Sequence, residues 1–227
     1  MWIRMVIQWL GTWIRGPLHM FMAVRQDARI TNARDVCIVK EVRDKPLLMF
    51  DLNGTLVHRY SNGKMKHIVP RPGIADLSRL QDRFQLGIYS CATKNNVYPM
   101  VRQIEEAVGE KLFCMVLHRG HCKDASEDVC HNIGKWYAKQ KPLYDQFGRR
   151  DVLLIDDERY KCLPKERDRL IWVPTWNTSR EDDQTLPTLV NALLRYVHDD
   201  EDIRRAVPRI NRSVRKYKRE HLNLESK

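Results

Sequence analysis

The sequence predicts an α/β protein in which one parallel sheet lies between two helical layers. Two observations carry that expectation. Short, mainly apolar runs alternate with amphipathic segments of helical period, the pattern of strands buried on both faces and joined by helical crossovers. Three of these runs also end in polar residues: Leu47–Phe50 runs into Asp51, Phe84–Tyr89 into Ser90, and Val152–Ile155 into Asp156 and Asp157. Open α/β sheets hold their ligands at the carboxyl ends of their strands, so the chain gathers its chemistry where such a fold would use it.

Taken in order, Val36–Val39 is a candidate edge strand and residues 47–52 form the first core strand. A small insertion follows, marked by the turn signal Ser61-Asn62-Gly63. Pro70-Arg71-Pro72-Gly73 then opens a helix through about Arg83, with Ile74, Leu77 and Leu80 at helical spacing. Residues 84–90 are the second core strand, and 95–108 a helix whose apolar face is Val97, Met100, Val101, Ile104 and Val108. The third core strand is 112–117, and a second insertion over 124–139 is read as helical. Lys141-Pro142-Leu143 is expected to begin a further helix, with proline in its first turn. Strands at 151–157 and 170–173 and a closing helix at 186–197 complete the domain. A chain of 227 residues can bury one such core, placed at 35–203 between a basic N-terminal segment, 1–34, and a basic C-terminal tail, 204–227.

The net charge of +11 lies in those two ends. Residues 1–34 carry five Arg and one Asp, and 204–227 carry nine Lys or Arg and two Glu, which leaves 35–203 neutral. The C-terminal run reads either as a solvated charged tail or as a surface for RNA, an acidic membrane or an acidic protein partner. Residues 1–24 contain no acid, and Arg4, Gln8, Thr12 and Arg15 make one polar stripe on an otherwise apolar helix. That is the composition of a mitochondrial presequence, with an interfacial anchor or a packed helix as rivals. The ten residues from Met5 to Ile14 are too few to span a bilayer, which takes about 20. The six cysteines include no C-x-x-C pair and are expected to be reduced thiols.

The strand-end residues form a set that could transfer a phosphoryl group. Asp51 offers a nucleophilic carboxylate, Ser90 a hydrogen-bond donor, Lys141 a cation for the phosphoryl charge, and Asp156 and Asp157 oxygen ligands for a divalent metal. Singly, each has a plainer reading as a cap or a surface residue. Together they keep the order such chemistry needs.

The motifs Asp51-Leu-x-Gly-Thr55-Leu-Val-His58, Arg71-Pro-Gly73, Tyr89-Ser90-x-Ala92, Lys141-x-Leu143 and Ile155-Asp-Asp157 resemble the haloacid-dehalogenase superfamily. Within it they are similar to the phosphatases that act on the RNA polymerase II C-terminal domain, the NLI-interacting-factor type. The resemblance spans residues 45–200 and implies a Rossmann-like sheet and a Mg²⁺-dependent phosphoserine/phosphothreonine protein phosphatase. Asp51 would be the nucleophile, Ser90 the phosphoryl donor group and Lys141 the charge clamp. Asp156, Asp157 and the backbone carbonyl of Asn53 would complete the Mg²⁺ ligands with Asp51. The chain departs from the pattern at Asn53, where the family has a second Asp that moves protons; an amide cannot do this near neutral pH. Two readings therefore stand: a slowed phosphatase of a phosphoprotein substrate, or a catalytically inactive phosphatase-like domain that binds a partner, whether a protein in import, an RNA or ribonucleoprotein, or a membrane surface. The family's mitochondrial import translocase subunit resembles the latter. The presequence reading points to mitochondria and the phosphatase resemblance to the nucleus.

His118, His121, Cys122, Cys130 and His131 bring zinc-type ligands into fourteen residues, yet match no standard spacing. Scattered loop residues are the plainer expectation there.

Overall fold

The computed structural model describes residues 45–222, apart from 63–64, 126, 128–130, 132–138, 148–150 and 199–200. The N-terminal segment, the candidate strand Val36–Val39, Cys130 and most of the second insertion therefore lie outside the described residues.

The centre is a five-stranded parallel sheet in the order β5-β4-β1-β8-β9, formed by β1 (Leu47–Phe50), β4 (Gln85–Tyr89), β5 (Phe113–Leu117), β8 (Val152–Asp156) and β9 (Leu170–Trp172). The chain builds from β1 outward to β4 and β5, then returns to the other side of β1 for β8 and β9. That reversal opens a crevice at the carboxyl end of β1, where this class of sheet binds ligands.

Side-chain alternation along each strand sorts the core into two faces. Leu48, Phe50, Leu86, Ile88, Leu153 and Ile155 face one layer, which contains α1 (Lys94–Val108) and α3 (Thr185–Tyr196). Leu47, Met49, Tyr89, Leu117, Val152 and Leu154 face the other, closed by Leu143, Cys162 and partly buried Phe147. The two insertions are a hairpin of β2 (Val57–Asn62) and β3 (Met65–Pro70) after the first core strand, and a segment after β5. The second insertion is bracketed by the paired short strands β6 (Lys123–Asp124) and β7 (Lys139–Gln140), so its ends are extended where a helix over 124–139 was expected.

Three other elements differ from expectation for identifiable reasons. The helix expected over 74–83 is a 3₁₀ helix at Ile74–Leu80. Its buried residues, Ile74, Leu77 and Leu80, recur every third position, which suits three residues per turn. Lys141 does not start a helix. It is extended and bridges Cys162, and α2 (Tyr144–Phe147) begins three residues later. Pro142 disfavours helical backbone at the residue before it, and buried Glu166 instead caps α2 by accepting from Leu143 N at 2.9 Å and Tyr144 N at 2.8 Å. The third departure is in the basic C-terminal run. Residues 207–217 form α4 (Val207–Tyr217), which buries Val207, Ile210 and Val214 in the core beside α3 and β9. The positive charge therefore rides on the outer face of a docked helix rather than on a free tail.

The loop after β1 is clamped by Arg71, which is fully buried. Its guanidinium donates to Gly54 O at 3.3 Å, to Thr55 O at 3.2 Å and to Asp183 Oδ2 at 2.9 Å. Asp183 Oδ1 in turn accepts from Thr185 N at 2.7 Å at the start of α3. Replacing Arg71 leaves the buried Asp183 carboxylate without its cation and the Thr55 carbonyl without its donor. We expect Arg71→Met to destabilise the domain by about 3–5 kcal/mol in urea unfolding, the range for removing one partner of a buried ion pair.

Candidate active site

Register places the site. Phe50 of β1 pairs with Ile88 on one side and Ile155 on the other, so the chain beyond brings Asp51 level with Tyr89 and Asp156, with Ser90 and Asp157 one step further. Asp51 N donates to Ile155 O at 2.9 Å and locks that alignment. The turn that follows needs Gly54: its φ is +80°, and a Cβ there would fall 2.3 Å from Asp157 Oδ2.

Carboxylate oxygens of Asp51, Asp156 and Asp157 lie within 4.8 Å of one another, and all three residues are buried. Two lysines answer them. Lys141 Nζ is 2.5 Å from Asp156 Oδ2 and 3.0 Å from Asp51 Oδ1, at an angle that makes no hydrogen bond with the latter oxygen. Lys161 Nζ is 3.0 Å from Asp51 Oδ2, 3.9 Å from Asp156 Oδ1 and 2.5 Å from Glu158 Oε2. Burial alone would raise the pKa of Asp51, but the two ammonium groups overcome it and hold this carboxyl well below the usual carboxylate range. Burial lowers the pKa of both lysines, and their acidic neighbours reverse this and push both upward. Asp157 touches neither lysine. Burial, followed by the charges of Asp156 and Asp51, pushes it up to about 7.

The sequence-predicted residues thus converge. Ser90 is buried, donates through its backbone N to Leu117 O at 3.0 Å, and its Oγ accepts from Ala92 N at 3.3 Å. Asn53 is half-buried and lines a cleft of about 340 Å³ with His58, Asp157, Glu158, Lys161 and Trp176. The described candidate zinc ligands, His118, His121, Cys122 and His131, do not assemble, and Cys130 lies outside the described residues. Among the described residues the three aspartates form the only metal-type cluster, and the rings of His118 and His121 bond to the backbone of their own 3₁₀ turn. The four described cysteines are free thiols, as expected.

Lys161 was not anticipated from sequence. It sits five residues after Asp156 in a charged stretch, and only the 3₁₀ turn Arg159–Lys161 folds it back over the sheet edge. The donor set fits a hard divalent cation, since it is all oxygen and Asp51 Oδ1 is buried without a hydrogen bond. Lys161 competes for the same carboxylates.

Fold and acidic cluster together have the form of a phosphatase-type α/β domain. The chain belongs to the NLI interacting factor-like phosphatases, whose family model matches residues 46–204. Two solved structures are similar at 19% identity. One is fission yeast RNA polymerase II CTD phosphatase Fcp1, an arginine-to-alanine variant bound to beryllium fluoride, with a TM-score of 0.43 over 80% of this chain and 66% of that one. The other is the essential RNA polymerase II CTD phosphatase Fcp1, with 0.40, 80% and 65%. The chain therefore spans just under two thirds of each. No curated protein matches it.

Two outcomes follow from the charge balance. Removing the competing ammonium in Lys161→Met should tighten divalent-cation binding, by tenfold or more in calorimetric titration. The metal-free protein should also lose stability as pH rises from about 4 towards about 7, because over that span the folded state holds a proton on Asp157 that the unfolded state releases. Thermal melts across pH, with and without divalent cation, check this; the cation should reverse the loss.

Proposed function

We propose that the protein is a Mg²⁺-dependent phosphoserine/phosphothreonine protein phosphatase that works through an aspartyl-phosphate and is slowed by Asn53. The observation that carries this reading is Asp51 itself. It is a buried carboxylate kept ionised between Lys141 and Lys161, beside two further acids and at the sheet's switch point. An ionised carboxylate held against cations is of little use to a hydrophobic core. It is what nucleophilic attack on phosphorus requires.

In the proposed reaction an Asp51 oxygen attacks the phosphorus and the bond to the seryl or threonyl oxygen breaks. That oxygen leaves with the electron pair and needs a proton. Lys141 holds the phosphoryl charge and Ser90 donates a hydrogen bond to it. Mg²⁺, held by Asp51, Asp156, Asp157 and the Asn53 carbonyl, would neutralise the phosphoryl oxygens. Water then attacks the aspartyl-phosphate, releasing phosphate and restoring Asp51. Both steps lack the acid/base that an Asp at 53 would supply, a loss of about 10²–10⁴-fold in rate. His58 lines the same cleft as Asn53.

The second reading is a phosphatase-like binding domain, favoured by Asn53. Turnover separates the two. With Mg²⁺, wild-type protein should hydrolyse para-nitrophenyl phosphate slowly, because a phenolate leaves without protonation, and Asn53→Asp should raise kcat on phosphoseryl peptides by about 10²–10⁴-fold. Absence of wild-type turnover with either substrate would overturn the enzyme reading.

A further inference from the structure

The basic face of α4 is not used by the site described above and lies beyond the residues matched by the family model. It forms one wall of a groove of about 760 Å³ whose other wall is the 3₁₀ segment Pro164–Arg169. Its lining carries six cations, Arg167, Arg204, Arg212, Arg215, Lys216 and Arg219, against the single carboxylate of Asp168, a surplus of five. Arg204 is spent on Asp168 and Asp202. Arg167, Arg212, Arg215 and Arg219 are exposed and make no ion pair among the described residues.

This groove is fixed relative to the carboxylate cluster. Asn211, in its lining, accepts from Trp172 N at 2.8 Å and donates to Leu170 O at 2.9 Å. The Trp172 indole donates to Asp157 O at 2.7 Å. Arg159 and Lys218 lie over the same indole at 5.0 and 4.9 Å. Two hydrogen bonds through Trp172 thus connect groove to cluster, and positive charge lies between them.

We infer that this groove docks a second phosphorylated segment of the protein substrate whose scissile phosphate enters the Asp51 site. The identity of the ligand rests on the phosphatase reading above. Three observations choose phosphopeptide over other polyanions. Five of the six cations are arginines, whose planar fork pairs bidentately with phosphate. The volume is that of a pocket that takes a short segment. The large hydrophobic side chains exposed among the described residues are Tyr60 and Tyr144, both outside the groove, so it offers neither a stacking platform for unpaired bases nor an apolar wedge for a membrane.

The test is fluorescence anisotropy with three probes: a doubly phosphorylated serine peptide, the same peptide unphosphorylated, and a single-stranded RNA of equal charge. The full chain and the variant Arg212→Glu/Arg215→Glu/Arg219→Glu are compared. The doubly phosphorylated peptide should bind the full chain best, and the variant should lose about tenfold or more of that affinity. Circular dichroism and a thermal melt should be unchanged, because the altered residues are exposed and the buried face of α4 is untouched. A single reversal, Arg215→Glu, should show the same direction at smaller size should the triple variant misfold. Equal affinity of full chain and variants for the phosphopeptide overturns the inference, as does tighter binding of the RNA. Anisotropy reads docking whether or not the peptide is hydrolysed, so failed turnover with intact docking would remove the enzyme reading alone.

Discussion

The structure depends on the balance of charge around Asp51. Three carboxylates within 4.8 Å of one another, at the edge of an apolar sheet, would repel and resist burial if left alone. Lys141 and Lys161 make the arrangement tenable, each touching more than one acid. Neither lysine is placed by its own element alone. Lys141 is extended because of Pro142 and is tied to the next segment through Lys141 N to Lys161 O at 2.7 Å. The backbone that positions one ammonium therefore positions the other, and the pair meets the cluster as a unit.

Around this centre the fold uses further buried polar groups as fasteners. Arg71 ties the turn after β1 to α3, Glu166 fixes the chain just beyond Lys141, and Trp172 links β9 to both Asp157 and α4. Each bridges parts distant in sequence, and each lies at the carboxyl edge of the sheet or beside it. The apolar layers hold the strands together, while these contacts set where the strand-end side chains stand. Buried charges of this kind add less to stability than to uniqueness of geometry, which is what a site made from several loops needs.

Much of this was legible in the sequence because its physics is local. A strand buried on both faces must be a continuous apolar run, and the residue that ends it is easily identified; Asp51, Ser90, Asp156 and Asp157 were found that way. Where the backbone departed from simple period rules, the signals were present but ambiguous. Ile74, Leu77 and Leu80 fit a 3₁₀ helix as well as an α-helix, and proline after Lys141 fits an extended bridge as well as a helix start. Val207, Ile210 and Val214 have helical spacing too, but eight basic residues between Arg204 and Arg219 obscured it. Lys161, Glu166 and Asp183 were beyond reach. The partners that reveal them, Asp51, Leu143 and Arg71, lie 110, 23 and 112 positions away, and nothing in their own surroundings distinguishes them from surface charges.

Asn53 and Lys161 are best understood together. A site with Asp at 53 and a neutral residue at 161 would carry one more negative and one fewer positive charge beside the same cluster than this one does. Both differences reduce the cluster's demand for an external cation, and the Lys161 ammonium reaches two of the three carboxylates that would bind it. The amide at 53 and the ammonium at 161 thus push in one direction. They favour a site that stays folded with little metal and that attracts an anionic group. The basic groove along α4 extends the same preference for anions across the adjoining surface.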